Sequence, residues 1–501
     1  MLILKNINKI SLINQRLYNS KVKLNDVVIV SATRTPIGSF LGELSGLSAP
    51  KLGAITIQAA VERAGIPKDK ITEIYMGNVC QAFLGQAPAR QATLFAGLSK
   101  STICTTVNKV CASGMKSIML ASQSLQCGHQ EIVLAGGMES MSNVPFYLPR
   151  KEIKYGNIKL EDGIVFDGLT DVYNKFHMGN CAENVAKKLN ITRDEQDEYA
   201  INSYKRSAAA YVNKIFQNEL VSVPVPQKKG NPNKIFDEDE EYKRVDFVKF
   251  AKLNTVFQEN GTITAGNAST LNDGAAALIL TTTTVAEKMN LKPLARIIAF
   301  QDAAIEPIDF SIAPSISISK LLENTGVNKN DIALWEINEA FSVVVIANQK
   351  LLDLDPNKVN IHGGAVSLGH PIGMSGARIV VHLVHALKTG EKGIASICNG
   401  GGGASSILIE KLYHTISFPP ILTLYTKHPC SLCDILKKEL QLHFFGRYQL
   451  QEIDITASGN EQYLKLYKNE IPVLFLEGQF LCKHYLDSEL LERKLQEFNQ
   501  N

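Results

Sequence analysis

The chain lacks the features that would suit it to a membrane or to nucleic acid. No apolar run reaches the ~18 residues from which a membrane-spanning helix is built. Charged residues make up only 20% of the 501 residues and the formal net charge is +3, which indicates no basic surface for nucleic acid. With 45% hydrophobic residues, the composition is typical of a globular protein of about three domain-sized units.

Cysteine is sparse, and its distribution excludes a disulfide framework. The nine cysteines are an odd number and are scattered along the chain, unlike the dense, evenly numbered cysteines of small secreted domains. We therefore expect mostly reduced thiols, a few of them reactive.

Acidic residues are absent before Asp26, whereas five basic residues lie between apolar ones in 1–25. This pattern is typical of an amphipathic transit peptide. We predict that 1–25 direct the protein to the mitochondrial matrix; the alternative is a basic tail with no targeting role.

Strand-like and helix-like segments alternate in two stretches of the chain, which predicts an α/β protein with two related halves. The first half is predicted at 26–290 and the second at 291–412. A polar stretch at about 138–262 interrupts the first half, and it reads equally well as a solvated excursion or as an inserted loop domain over a site.

Equivalent turns of the two halves present Cys111 and His370, each next to a predicted helix. A helix start favours a thiolate, and a nearby imidazole makes a cysteine a nucleophile. Taken singly, Cys111 can equally be interpreted as an inert buried thiol, and His370 as a structural histidine.

The stretch "CNGGGG" places Cys398 at the end of an apolar strand and directly before four glycines. A phosphate loop would need a Lys and a Ser or Thr after the glycines, and a dinucleotide fingerprint would open a helix. Neither pattern is met, so the glycines more plausibly let backbone N–H groups approach a substrate oxygen.

Seven motifs occur in the order and spacing of the thiolase family: "VNKVCASGMK", "GGMESMSN", "HMGNCAENVA", "NASTLNDGAAAL", "NEAF", "GGAVSLGHPIGMSGAR" and "CNGGGGAS". Residues 26–412 therefore resemble thiolases, and most closely their acetyl-CoA acetyltransferase branch. The resemblance implies the thiolase fold of two βαβαβαββ halves, a homotetramer and no covalent cofactor. It also implies reversible conversion of two acetyl-CoA into acetoacetyl-CoA and free CoA.

The resemblance implies a role for each catalytic residue. Cys111 would accept the acetyl group, His370 would activate it, and Cys398 would exchange a proton with the α-carbon of acetyl-CoA. One oxyanion hole would combine His370 with a water held by Asn338, and the other would use the N–H groups of Cys111 and Gly400.

Two further sets of residues follow from the same resemblance. Residues expected around the substrate and coenzyme A are His177, Met178, Tyr204, Arg244, Val245, Asp246, Lys249 and Ser269. Residues expected around a potassium ion are Tyr204, Ala265, Gly266, Ala268 and Val366.

A second unit is predicted after a linker at 413–419. Residues 420–501 show strand, helix, strand, helix, hairpin and helix, with Cys430 and Cys433 between the first strand and helix. A structural zinc site needs four ligands, and the remaining candidates are poorly spaced, so a dithiol redox site fits better. The unit resembles glutaredoxin-like proteins of the thioredoxin fold, and that resemblance implies a cis-proline at Pro472.

Two alternatives remain at this point. One is a broad-specificity 3-ketoacyl-CoA thiolase of fatty-acid β-oxidation. The other is a thiol-disulfide redox protein on a thiolase scaffold, against which the joint presence of Cys111, Asn338, His370 and Cys398 argues.

Overall fold

The computed structural model describes residues 24–150, 155–227, 231–412, 420–444 and 448–500. The predicted transit peptide lies outside these residues except for its last two positions, and the predicted linker at 413–419 lies wholly outside them. The chain divides into two compact units, Met1–Leu412 and Tyr413–Asn501. Within the described ranges, we find no helix that is both long and apolar enough to cross a membrane.

The strands of the first unit are, in chain order, β1 (Val27–Arg34), β2 (Gly38–Ser39), β3 (Glu73–Gly77), β4 (Ile103–Val107), β5 (Ile132–Ser140), β6 (Phe146–Tyr147), β7 (Glu161–Asp162), β8 (Thr170–Asp171), β9 (Phe176–His177), β10 (Val223–Val225), β11 (Lys234–Phe236), β12 (Asn272–Thr282), β13 (Ala295–Ala304), β14 (Ile332–Ile337), β15 (Lys392–Asn399) and β16 (Gly403–Lys411).

Its α-helices are α1 (Ala49–Ala64), α2 (Pro88–Phe95), α3 (Ser113–Gln126), α4 (Gly163–Gly168), α5 (Met178–Lys188), α6 (Arg193–Val212), α7 (Phe247–Phe250), α8 (Thr283–Lys288), α9 (Ala313–Thr325), α10 (Ser342–Leu352), α11 (Ala365–Leu368) and α12 (Ser375–Ala386).

One ten-stranded sheet joins the two halves, with the order β14-β15-β16-β13-β1-β12-β5-β3-β4 and β2 beside β12. The halves meet where β1 and β13 pair antiparallel, with Val28 opposite Arg296. Outward from this seam the order is β12, β5, β3 on one side and β16, β15, β14 on the other. The matching orders confirm the predicted internal repeat and the α/β fold class.

Helices cover the sheet and divide the apolar core into layers. The central core combines α3 with α12, for example Met115 and Ile118 with Ile379 and Leu383. A second core lies under α1 and α2, and a third lies under α5, α9 and α10. Since α3 begins just after Cys111 and α12 just after His370, this central packing brings together the two predicted catalytic turns.

The polar stretch predicted as an inserted loop domain runs between β5 and β12. It holds α4 to α7 and three two-stranded sheets, β6-β7, β8-β9 and β10-β11. A capping box at Thr192 and Glu195 starts its long helix α6, which contacts α10 and α11 of the second half.

The second unit has a four-stranded sheet in the order β18-β17-β19-β20, with β17 and β18 parallel and the other pairs antiparallel. Its elements are β17 (Ile421–Thr426), α13 (Ser431–Phe444), β18 (Gln449–Asp454), α14 (Glu461–Tyr467), β19 (Val473–Leu476), β20 (Gln479–Lys483) and α15 (Ser488–Gln500). This is the sequence of elements expected for the thioredoxin-type unit.

Candidate active site

The Cys111 turn is fixed by hydrogen bonds on both sides of the thiol. Ser113 Oγ accepts a bond from the Lys109 N–H at 2.8 Å and donates to the Val110 carbonyl at 2.6 Å. The Lys109 side chain reaches the second half, where it donates to Asp302 at 2.5 Å and to Ser405 at 2.8 Å. These bonds fix the Cys111 turn to strands β13 and β16.

His370 is held in one tautomer by its neighbours. Its Nδ1 lies 2.5 Å from Ser375 Oγ, and that hydroxyl donates its proton to the Pro371 carbonyl at 2.9 Å. Because the hydroxyl proton is used, Nδ1 must carry the imidazole proton and donate it. The opposite nitrogen, Nε2, is therefore left unprotonated and able to act as a base.

Burial, together with the nearby Arg378 guanidinium, lowers the pKa of His370 to about 4. The neutral imidazole thus predominates at physiological pH. Its Nε2 has no hydrogen-bond partner in the described part of the chain, so it is available to a substrate or to the Cys111 thiol.

Ser375 is a residue that the sequence does not single out, and its removal gives a first prediction. Ser375→Ala deletes the acceptor of the Nδ1–H bond, and a lost bond of about 1 kcal/mol corresponds to a roughly fivefold lower kcat. We expect this loss in kcat with KM unchanged, measured by steady-state thiolysis. Ser317→Ala, which removes another buried hydroxyl, is the control, and equal kcat in both variants would contradict the tautomer argument.

Cys111 and His370 line one cavity of about 330 Å³, called here the thiol cavity. Its other predicted members are His177, Met178, Ala268, Ser269 and Gly400. Most of the remaining lining is apolar, with residues such as Leu169, Phe257 and Ile372. An apolar cavity with a few convergent polar groups is typical of a small-molecule site.

Burial opposes the effect of the helix start on the Cys111 thiol in the free protein. Burial raises the pKa of the Cys111 thiol to about 12, although the N–H groups of Gly400 and of Cys111 itself hydrogen-bond to the sulfur and lower it. Desolvation outweighs the helix start because the charged form loses water on entering the fold. The thiol therefore needs a base at the moment of reaction.

Cys398 is the last residue but one of strand β15, is fully buried and does not line the thiol cavity. Burial, followed by the nearby Cys111 thiol, raises its pKa well above its usual range. The glycines after it form the turn from β15 to β16, with Gly401 and Gly402 both at φ +85°. A Cβ at Gly402 would lie 2.1 Å from the Ile305 carbonyl, so this turn requires glycine.

Asn338 follows β14, where its N–H donates to the Ser396 carbonyl at 3.0 Å. Its side chain is fully buried, and neither Oδ1 nor Nδ2 has a partner among the residues with described positions. Buried amides are normally paired, so Asn338 is suited to hold a water or a substrate oxygen.

His177 is the N-cap of α5 and accepts the Gly179 N–H through Nδ1 at 3.0 Å. Burial lowers the pKa of His177, and its ring stacks on Phe257 with a centroid distance of 4.7 Å. Nε2 of the neutral ring therefore carries the proton and is a donor at the thiol cavity.

The residues expected around coenzyme A line a second cavity of about 720 Å³, called here the outer cavity. Ser269, Thr270 and Leu271 line both cavities, so the two adjoin. The exposed Arg244 and Lys249 side chains lie here and form salt bridges with Glu241 and Asp246. The predicted members of the outer cavity are Tyr204, Arg244, Val245, Asp246, Lys249, Ala265, Gly266 and Ser269.

The residues expected around potassium lie close to one another but not on a single cavity. Ala265 and Gly266 line the outer cavity with Tyr204, Val366 packs in one buried cluster with Tyr204, and Ala268 lines the thiol cavity. From the described residues, no hydrogen bond is donated to the carbonyl oxygens of Ala265, Gly266 or Ala268. Such carbonyls, with a tyrosine hydroxyl, fit the oxygen ligands that potassium prefers.

In the second unit, Cys430 and Cys433 form a disulfide with a Cα–Cα distance of 5.3 Å. Cys433 lies in the first turn of α13, where its N–H donates to Cys430 Sγ at 3.2 Å. The pair packs with Tyr425, Ile455 and Ile471. The peptide bond between Ile471 and Pro472 is cis.

Comparisons with known proteins agree with this architecture. Residues 27–284 match the N-terminal domain of thiolases, 291–411 match the thiolase C-terminal domain, and 421–496 match a glutaredoxin-like domain. The chain is 68% identical over 399 residues to the mitochondrial acetyl-CoA acetyltransferase of Bos taurus, covering 79% of this chain and 94% of that protein. Identity to the Homo sapiens protein of the same name is also 68%, over 79% of this chain and 93% of the relative.

Two solved structures extend the comparison to the fold. The Acat5 thiolase of Ascaris suum in complex with coenzyme A is 48% identical, with a TM-score of 0.75 over 77% of this chain and all of that one. The acetyl-CoA acetyltransferase of Bacillus anthracis is 37% identical, with a TM-score of 0.75 over 78% of this chain and 100% of that one. On this evidence, the chain belongs to the thiolase family.

Proposed function

We propose that the first unit is an acetyl-CoA C-acetyltransferase that reversibly condenses two acetyl-CoA into acetoacetyl-CoA and CoA through an acetyl-Cys111 intermediate. The observation that carries the proposal is that Cys111 and the unprotonated Nε2 of His370 meet at one apolar cavity, with the buried Cys398 thiol near that of Cys111. The names of the mitochondrial relatives at 68% identity support the same substrate.

In the first half-reaction, His370 Nε2 takes the proton of the Cys111 thiol as the sulfur attacks the thioester carbonyl of acetyl-CoA. The bond from carbonyl carbon to CoA sulfur breaks, and CoA leaves with the proton from His370. General-base help is needed because the Cys111 thiol, with a pKa of about 12, is protonated at neutral pH.

In the second half-reaction, the Cys398 thiol gives its proton to the free Nε2 of His370, and the resulting thiolate removes a proton from the α-carbon of a second acetyl-CoA. The enolate carbon attacks the acetyl-Cys111 carbonyl, the bond to Cys111 sulfur breaks, and acetoacetyl-CoA forms. The Cys111 sulfur takes the proton from His370, so both thiols and the neutral imidazole are restored. The high pKa of Cys398 suits this step, because a strongly basic thiolate is a better acceptor for a weakly acidic C–H proton.

Two oxyanion holes stabilise the developing charges. The N–H groups of Cys111 and Gly400, which already hydrogen-bond to the Cys111 sulfur, would accommodate the oxygen of the acetyl-cysteine intermediate. Asn338, with its free amide, and His370 would hold the enolate oxygen through a bound water. Donors of this kind contribute roughly 3 to 4 kcal/mol each to transition-state stabilisation.

We place coenzyme A in the outer cavity, with its thioester passing Ser269 into the thiol cavity. Arg244 and Lys249 are suited to its phosphate groups, and their carboxylate partners would be exchanged for phosphate on binding. The coenzyme A complex of the Ascaris suum thiolase supports binding in this fold.

A broad 3-ketoacyl-CoA thiolase is the nearer rival, and rates against acyl length decide between the two. The thiol cavity of about 330 Å³ lies at the small end of ligand pockets, so acetoacetyl-CoA should be cleaved far faster than 3-ketooctanoyl-CoA. Equal kcat/KM for both substrates would favour the broad enzyme. No thiolysis of either would favour a redox protein on a thiolase scaffold.

Potassium is part of this proposal. Tyr204 and the carbonyls of Ala265, Gly266, Ala268 and Val366 would hold the ion and stiffen the loop that borders both cavities. Replacing potassium chloride by tetramethylammonium chloride at equal ionic strength should lower thiolysis severalfold, mainly by raising KM for the CoA substrates. Potassium should also raise the thermal midpoint, as any ligand of the native state does. Indifference of both measurements to potassium would contradict the site.

The basic segment 1–25 and the mitochondrial names of the relatives support location in the mitochondrial matrix. Fusing 1–25 to a fluorescent protein tests this, and a cytosolic signal would contradict it. The thiolase resemblance further supports a homotetramer, for which light scattering should give four times the chain mass.

For the second unit, the disulfide between Cys430 and Cys433 favours thiol-disulfide exchange. In its dithiol form, Cys430 would attack an oxidised cysteine pair, and Cys433 would then release the mixed disulfide. Two electrons and two protons pass to the substrate, and the Cys430–Cys433 disulfide forms again. We propose that Cys111 and Cys398 of the first unit are among the thiols kept reduced in this way.

Recovery from oxidation tests that link. After inactivation by hydrogen peroxide and addition of limiting reduced glutathione, wild type should regain thiolysis faster than the double variant Cys430→Ser, Cys433→Ser. Cys482→Ser, which removes a buried thiol of the same unit, is the matched control and should recover like wild type. Equal recovery of wild type and the double variant would show that the two units act independently.

A further inference from the structure

Glu139, in strand β5, is a fully buried carboxylate that none of the proposed chemical steps uses. We propose that Glu139 is a positioning residue that holds the His370 turn and the Cys111 turn in one reactive arrangement. This inference rests on the proposed acetyl-transfer function and adds a residue to it.

The carboxylate of Glu139 accepts four N–H groups from two different parts of the first unit. Oε1 accepts Asn78 Nδ2 at 2.7 Å and the Cys80 N–H at 3.3 Å. Oε2 accepts the Val79 N–H at 3.0 Å and the Gly373 N–H at 2.9 Å. Each oxygen therefore accepts from two donors, an arrangement that suits the ionised carboxylate. Burial raises the pKa of Glu139 to about 7, while the N–H groups of Val79, Cys80 and Gly373 favour the ionised form.

The two ends of this bridge are parts of the reactive turns. Gly373 lies between His370 and its tautomer partner Ser375, so its N–H fixes the turn that aims the imidazole. Val79 and Cys80 belong to an apolar cluster against which Cys111 packs. Glu139 is thus bonded directly to the base turn and to the wall behind the nucleophile.

The backbone around Glu139 is packed too closely for neighbouring segments to move and replace lost hydrogen bonds. A Cβ at Gly373 would lie 2.6 Å from Glu139 Oε2, and one at Gly137 would lie 2.1 Å from the Gly373 carbonyl. A Cβ at Gly114, in the first turn of α3, would lie 3.1 Å from that same carbonyl. The start of the nucleophile helix and the His370 turn therefore meet backbone to backbone above the carboxylate.

Substitution by glutamine breaks this arrangement without changing side-chain size. An amide replaces one oxygen by an NH₂ group, which would face two of the four N–H donors. The donors lose their acceptor, the His370 turn shifts, and the reacting atoms move out of line. A displacement of about 1 Å in such a site costs roughly 10²-fold in rate.

The experiment compares Glu139→Gln and Glu139→Asp with Glu183→Gln in the full chain. Glu183 is a matched control, because it is also buried and accepts the N–H groups of Thr262 and Ile263 and the Thr262 hydroxyl. Three quantities are measured for each variant: kcat and KM for acetoacetyl-CoA thiolysis, the rate of acetyl exchange between acetyl-CoA and labelled CoA, and the thermal midpoint.

For Glu139→Gln we expect kcat and acetyl exchange to fall by the same factor, roughly 10²-fold, because His370 serves both half-reactions. KM should stay within about twofold, since Glu139 lines neither the thiol cavity nor the outer cavity. Glu139→Asp keeps the charge on a shorter side chain, so its kcat should be about tenfold higher than that of Glu139→Gln. Glu183→Gln should lose thermal stability while keeping kcat.

Several outcomes would overturn the inference. One is that Glu139→Gln and Glu183→Gln have equal kcat at similar thermal midpoints. Another is that Glu139→Gln changes only KM and leaves kcat as in wild type. If Glu139→Gln does not fold, wild-type kcat in Glu139→Asp would overturn it. Failure of the proposed function is distinguishable, because wild type itself would then show neither thiolysis nor acetyl exchange.

Discussion

Replacing Cys398 by alanine should abolish condensation while leaving acetylation of Cys111 intact. In the proposed mechanism, acetyl exchange between acetyl-CoA and labelled CoA uses only Cys111 and His370, so we expect it to stay within about tenfold of wild type. Condensation and thiolysis of acetoacetyl-CoA need a proton at the α-carbon to be moved, and both should fall by roughly 10³-fold or more.

Cys181→Ala is the control for this experiment. Cys181 is as fully buried as Cys398 and is also a free thiol of the first unit. Neither residue lines the thiol cavity or the outer cavity, but only Cys398 lies near the Cys111 thiol. Any effect of emptying a buried thiol site should appear in both variants. Normal condensation by Cys398→Ala, or parallel loss of exchange and condensation, would refute the division of labour between the two thiols.

His370→Ala should lower both half-reactions, and by more than the loss of Ser375. General-base catalysis contributes roughly 10² to 10⁴-fold, and His370 also belongs to the proposed oxyanion hole, so we expect kcat to fall by about 10³-fold or more. Since burial raises the pKa of the Cys111 thiol to about 12, alkylation of Cys111 by iodoacetamide at neutral pH should slow as well.

His385→Asn provides the control on the same helix. His385 is a histidine of α12 whose Nε2 lies 2.9 Å from the Ala32 carbonyl, away from both cavities. Its variant should keep kcat within about twofold even if it loses some stability. Unchanged alkylation of Cys111 in His370→Ala would mean that another group takes the thiol proton.

The sequence predicts the fold and the pairing of the candidate catalytic turns because both depend on a repeated pattern. Strand and helix periodicity recurs in the two halves, and the seam between β1 and β13 makes equivalent turns face each other. Cys111 and His370 are 259 positions apart in the chain, yet the equivalence of their turns in the two halves makes them a candidate pair. The structure adds that they line one cavity.

What the sequence cannot predict depends on burial and on contacts between distant segments. The helix start suggests a lowered pKa at Cys111, but the opposite shift follows from desolvation, which is a property of the whole fold. Glu139 lies in a motif that reads as an ordinary strand end, and its bond to Gly373 crosses 234 positions. Similarly, the buried carboxylate of Glu219 lies 2.6 Å from Arg34 Nε and 2.9 Å from His382 Nδ1. No local sequence pattern predicts these contacts.

The most direct test of the central claim is the intact mass of the protein after brief exposure to acetyl-CoA, followed by peptide mapping. Wild type should gain the mass of one acetyl group, located on Cys111, and should lose it on addition of CoA. Cys111→Ser should gain no acetyl group that CoA can remove, whereas Cys398→Ala should accumulate the acetyl group on Cys111. An active wild-type enzyme with no acetyl group on Cys111, or with the adduct on Cys398, would contradict the mechanism.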